Sequence, residues 1–178
     1  MKIISRLVLG LSLICMAYAA DDVVSAVHGS VEKVDSATKT IVVKTGDGTM
    51  HTLHFAGTTT VHGADATAAG AKDSWKGIEK GSEVVAHYTK RGAEDTAIEI
   101  DKVGKGGLKV TEGTVKTIDR GGKVLVVKTA DGTEETFVLT GHAAADAGKG
   151  IAAGSEKGAK VVVYSTEEAG KKIAHFFE

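Results

Sequence analysis

The chain has 178 residues, with 22 lysines and arginines against 23 aspartates and glutamates, one cysteine, no proline and 4% aromatics. Near-neutral charge without a strongly basic stretch argues against nucleic acid, because phosphate binding needs a basic face. Sparse aromatics leave no clustered platform for stacking bases or sugars.

The first segment, MKIISRLVLGLSLICMAYAA, has the layout of an export signal. Lys2 and Arg6 give it a positive start, Leu7 to Met16 an apolar centre, and Ala17-Tyr18-Ala19 a small-x-small cleavage pattern. The apolar stretch is shorter than the ~20 residues of a membrane span. The expectation is a signal peptide over 1–19, a periplasmic or secreted product, and no transmembrane anchor after cleavage. Cys15 leaves with the leader, which rules out thiol chemistry and disulfides in the mature chain. Such a chain must be held by its core rather than by cross-links.

Strand signals follow in two parallel series. The first series reads VVSAVHGSVEKVD, KTIVVKT and TMHTLHFA, then a connector, then EVVAHYTK and DTAIEIDKV. The hinge DKVGKGGLKV leads to LKVTEGTVKTID, KVLVVKT and TEETFVLT, a second connector, and finally KVVVYST and KKIAHFF. The octet VVKTGDGT at 42–49 returns as VVKTADGT at 126–133. Around it, Gly29 to Gly57 aligns without gaps to Gly113 to Gly141, with 13 of 29 positions identical. KGSEVVAHYT at 80–89 matches KGAKVVVYST at 157–166, so the offset falls from 84 to 77 and the second connector is seven residues shorter. Two copies are too few for a solenoid and indicate two domains.

Both connectors, ADATAAGAKDSWKGI and HAAADAGKGIAAG, suit short, imperfect helices. Gly70 and Gly77 weaken the first by about 1 kcal/mol each relative to alanine. Five strands with a helix between the third and fourth is the layout of an OB-like, partly open Greek-key barrel. The fold class is therefore all-β with short helical connectors: two tandem five-stranded OB-like small barrels, the first over 20–104 and the second over 105–178. Gly29 and Gly113 fall where a long first strand must bend. The short hinge favours packing of one barrel on the other. Phe176 and Phe177 lie on opposite faces of the last strand, one for the core and one for the contact between barrels. Partly open barrels also leave edge strands that accept a partner strand.

The run G-x-V-x-x-[VI]-D, K-x-[IL]-V-V-K-T-x-D-G-T and K-G-x-x-V-V resembles small OB-like barrels of unknown function in secreted bacterial proteins. That resemblance implies the fold and export, and brings no catalytic residues. A more distant similarity is to periplasmic copper-binding small barrels, which use His, Met and Trp. Met50, His51, His54 and Trp75 are present, but their spacing does not match that family's motif, and no ligand is carried over.

No G-x-S-x-G, H-E-x-x-H, C-x-x-C or P-loop occurs, so the expectation is a non-enzymatic protein without a cofactor. The repeated Asp-Gly marks a hairpin turn; a single carboxylate is a poor calcium site, which wants six to eight oxygens. His51 and His54, three apart on a strand, face opposite ways. His28 and His87 lie on other strands, where only the pairing register decides what they meet. The recurring candidates for a metal are His62 with Asp65 and His142 with Asp146, both early in the connectors. On a helix each pair would share one face, and imidazole with carboxylate suits zinc or copper. The plainer reading of each pair is a local hydrogen bond or helix-start electrostatics. Trp75 reads as a plug at one barrel end. Two functions remain: a binding or structural module of the bacterial envelope, its partner a protein, a glycan or a second copy joined through sheet edges; or a periplasmic histidine-based zinc or copper protein.

Overall fold

The computed structural model describes residues 24–63, 77–119, 121, 123–147 and 158–178. The leader, Asp65 and Trp75 lie outside them. The elements run β1 (Val24–Asp35), β2 (Thr40–Lys44), β3 (Met50–His62), β4 (Glu83–Arg91), β5 (Glu94–Lys102), β6 (Lys109–Asp119), β7 (Val124–Lys128), β8 (Glu134–Leu139), α1 (Gly141–Ala147), β9 (Lys160–Glu168) and β10 (Lys171–Phe177). They form two five-stranded closed barrels, β1-β2-β3-β5-β4 and β10-β8-β7-β6-β9. In each, one parallel pairing closes the ring, β3 with β5 and β8 with β10. Closure differs from the expected partly open barrel, and it leaves neither ring with an unpaired lateral edge among the described strands.

The closure rests on one glycine per copy. β1 pairs with β4 over Val24–Ser30 and with β2 over Ser30–Asp35. Gly29 sits at that handover, where a Cβ would overlap the Lys44 carbonyl. Gly113 repeats the arrangement against the Lys128 carbonyl and the Val127 side chain.

Alternation then fills each barrel. Ile41 and Val43 point inward from β2, as Leu125 and Val127 do from β7, and all four are fully buried. Leu53, Val84 and Ile100 complete the first core with them; Phe137, Val163 and Phe177 complete the second. Each such side chain contributes about 1.5–3 kcal/mol by leaving water.

The repeated octet ends a strand and turns the chain, as expected. The turn is wider than a two-residue hairpin, because Lys44 pairs with Met50 and Lys128 with Glu134. Asp47 accepts hydrogen bonds from the Thr45 hydroxyl and the Thr49 amide, and Asp131 does the same with Thr129 and Thr133. Those bonds, the Thr45 hydroxyl first, hold Asp47 down at about 2. Gly48 and Gly132 supply the left-handed step at φ 89°.

The copies part company after the third strand. β8 stops at Leu139, and α1 starts at Gly141. β3 instead runs on to His62, pairing Thr60, Val61 and His62 with Glu99, Ile100 and Asp101 after a register break. The expected helical turn is thus present in the second connector; the first connector's helix would fall outside the described residues.

The barrels pack against each other through Val85, Val103, Leu108 and Tyr164, with Val162 and Phe176 against them. Phe177 enters the second core while Phe176 covers this contact, as strand alternation requires. The linker is folded onto the seam: Val103 and Leu108 form a parallel bridge, and the Leu108 amide donates to the Lys102 carbonyl at 2.8 Å. Gly107 lies so close to that carbonyl that a Cβ there would overlap it. No helix among the described residues is long and apolar enough to cross a membrane.

Candidate metal centre

The outward face of β5 carries the chemistry. Ile100 points into the first core, so Glu99 and Asp101 on either side of it point out. The pairing register sets their neighbours: His87 on β4 lies opposite Glu99, and His62 on β3 lies opposite Asp101. The second barrel covers this face. It brings His142 from α1 and His175 from β10, the latter at a bulge where Tyr164 pairs with Phe176 and Ser165 with Ala174. A bulge inserts one residue and re-aims its side chain.

The resulting cluster joins both barrels. His62 Nδ1 is 2.8 Å from Asp101 Oδ1 and 3.1 Å from Glu99 Oε1. His142 Nδ1 is 3.6 Å from Glu99 Oε2. His175 Nδ1 stands 3.6 Å from Asp101 Oδ2 and 3.8 Å from Glu99 Oε1, ion-pair rather than hydrogen-bond distances. Its Nε2 is 3.0 Å from the Thr166 hydroxyl, which fixes the ring. The His87 and His142 rings lie 5.2 Å apart. Donor atoms of His87, Glu99 and His142 all fall within 4.8 Å of one another, and so do those of His62, Glu99 and Asp101.

Burial and charge work against each other here. His175 first, then the positive pull of His87 and His62, overcomes burial and holds Glu99 down at about 2. Asp101 is 1% exposed, and burial followed by the Glu99 charge raises its pKa. Burial disfavours a charged His175, but Glu99 and Asp101 outweigh it and raise the imidazole above 6.5. Two neighbouring carboxylates, one sealed from water, thus hold a positive charge beside them.

Of the four residues proposed from sequence, His62 and His142 meet at Glu99, from opposite barrels. Neither is shown beside its expected aspartate. His62 ends a strand rather than opening a helix, so a three-residue spacing no longer sets its partner; Asp65 lies outside the described residues. Asp146 falls in α1, but its side chain lies outside what is described. Sequence reasoning passed over Glu99, Asp101 and His175. A signal existed in AIEID at 97–101, where Glu99 and Asp101 flank the buried Ile100.

A second polar cluster lies at the other end of the seam. His28 bridges Glu83 at 2.8 Å and Glu178 at 3.0 Å, while the Tyr164 hydroxyl donates to Glu178 at 3.0 Å. The Glu178 bond raises His28 against burial, with Glu83 adding to it, and His28 in turn lowers Glu178. Burial, then Glu178, raises Tyr164 well above 10. Beside this cluster is a cavity of about 730 Å³ lined by Thr45, Asp47, His51 and Phe176 among others.

No protein-family model and no curated protein matches the sequence. Among solved structures, the chain is similar to the crystal structure of CusF with Ag(I), at 14% identity and a TM-score of 0.33, over 44% of this chain and 96% of that one. It is also similar to residues 10–88 of CusF from Escherichia coli with Ag(I), at 13% identity and a TM-score of 0.35, over 47% and 95%.

Proposed function

We propose that this chain is an exported, non-enzymatic binding protein whose ligand is a divalent transition-metal cation held between its barrels. The observation that carries the reading is the convergence of His62, His87, Glu99, Asp101 and His142 from both barrels, in sets whose donor atoms lie within 4.8 Å. Imidazole with carboxylate suits Zn²⁺ or Cu²⁺ better than a hard cation that wants oxygen alone. A cation would also offset the charge of the Glu99 and Asp101 carboxylates, which stand side by side with Asp101 1% exposed. The leader-like segment and the lack of a catalytic motif belong to the same reading.

Calorimetric titration of Zn²⁺ and Cu²⁺ into the purified protein tests it. Binding heat is expected for wild type, with at least a tenfold weakening in the double variant His62→Ala/His142→Ala. Absence of heat in wild type, or heat untouched in the double variant, would overturn the assignment.

The cavity beside His28 favours a second ligand class, a polar segment of an envelope protein or glycan. Capture from envelope extract that disappears with Phe176→Ala would support it.

A further inference from the structure

We propose that the seam takes two cations rather than one, with the Glu99 carboxylate bridging them. This rests on the metal reading above and gives it a stoichiometry and an arrangement. The two donor sets have only Glu99 in common. One consists of His62 and Asp101, on β3 and β5; the other of His87 and His142, on β4 and α1. The oxygens of Glu99 divide between them, Oε1 at 3.1 Å from His62 Nδ1 and Oε2 at 3.6 Å from His142 Nδ1. A carboxylate used through both oxygens suits paired cations, which in two-metal sites stand about 3.5–4 Å apart.

Ligand number points the same way. One tetrahedral ion takes four donors, whereas this cluster offers four imidazoles and two carboxylates. Two ions sharing Glu99 take three protein ligands each, the number found in sites that keep a position for water. His175 then lies beside the ion at Asp101, as a fourth ligand or as the partner that orients Asp101 and Glu99. Access exists on both sides, since the His62 and His142 side chains are 55% and 37% exposed while Asp101 is 1% exposed. The ion at His87, Glu99 and His142 would also join the barrels, because His142 belongs to the second and Glu99 to the first.

Zinc titration by calorimetry, with native mass spectrometry of the loaded protein, counts the ions, and Cu²⁺ electron paramagnetic resonance reports their separation. Two equivalents and a dipole-coupled copper spectrum are expected. His142→Ala should keep one equivalent with an uncoupled spectrum, Asp101→Asn should keep the other, and Glu99→Gln should abolish the coupling. Circular dichroism melts of each variant exclude unfolding as the cause. One equivalent with an uncoupled spectrum in wild type would overturn the paired site and leave a single-ion protein. Two equivalents without coupling would overturn the Glu99 bridge, and no binding at all would overturn the metal reading itself.

Discussion

Through their last two strands the barrels align at an offset of 77, and the outward faces so matched differ in kind. His87, Glu99 and Asp101 of the first barrel correspond to Tyr164, Phe176 and Glu178 of the second. The pairing is the same in both, His87 opposite Glu99 and Tyr164 opposite Phe176, with a one-residue bulge just before the latter partner of each pair. In β5 that bulged residue is Ile98; in β10 it is His175. One copy therefore presents donors while the other presents an aromatic wall. Tyr164 and Phe176 of the apolar contact thus stand where the polar cluster has His87 and Glu99. The two frames are alike, and the chemistry lies in the side chains by which their outward faces differ.

Equivalence of the frames is the first thing to break. Leu53 and Phe137 occupy matching, fully buried positions. Leu53→Ala should cost about 2–5 kcal/mol and Phe137→Ala about 3–5 kcal/mol. If the seam couples the barrels, either variant lowers a single thermal transition in calorimetry. Two transitions, with only the altered barrel shifted, would show that the seam contributes little.

Next in size are the bends. Gly29→Ala and Gly113→Ala both push a Cβ into a carbonyl of the neighbouring strand and should each lose about 1–3 kcal/mol in urea unfolding. Unequal losses would mean that the two closures are not equivalent.

The faces can be exchanged as well. His87→Tyr and Glu99→Phe copy the second barrel's residues onto the first. Each should weaken zinc binding at least tenfold, about 1.4 kcal/mol, in protein that circular dichroism shows to be folded. Unweakened binding would place the cation elsewhere.

The smallest effect concerns pH. His28 is raised above 6.5, so its contribution is full below that value and is lost as pH rises through the folded pKa. Glu178 is lowered below 4.5, so its contribution is present above that value and is lost as pH falls through the folded pKa. The His28–Glu178 pair, with Glu83 and Tyr164 facing it, is therefore fullest between 4.5 and 6.5. Because both carboxylates are about half exposed, screening keeps the worth at about 1 kcal/mol or less. Melts of wild type and His28→Asn at pH 5.5 and 8.5 should converge at the higher pH; a constant difference would assign His28 a purely steric role.

Most of the frame was legible in the sequence because its signals are local. Alternation gave the strands, Asp-Gly the turns, and Gly29 and Gly113 the bends. The split roles of Phe176 and Phe177 followed from the two-residue period alone. Closure was not legible, since it depends on parallel pairing between β3 and β5 that no local pattern encodes. The cluster was half legible. His62 and His142 stood out by recurring, but their partners come from strands far away in sequence, and a register break and a bulge decide which side chains meet. His87 and Asp101 looked like ordinary strand residues, being polar positions that are exposed only until a second barrel is laid over them.

The linker between Val103 and Leu108 has one more consequence. With its turn folded onto Lys102, it holds the second barrel against the first at a very high effective concentration. Docking then stays within one molecule and outcompetes any exchange of barrels between molecules. A flexible insertion of about ten residues there would dilute that local concentration. The second barrel could then dock on a neighbour, giving a barrel-swapped dimer that sizing chromatography at rising protein concentration would reveal. Six residues of turn thus determine whether the seam is a property of a molecule or of a population.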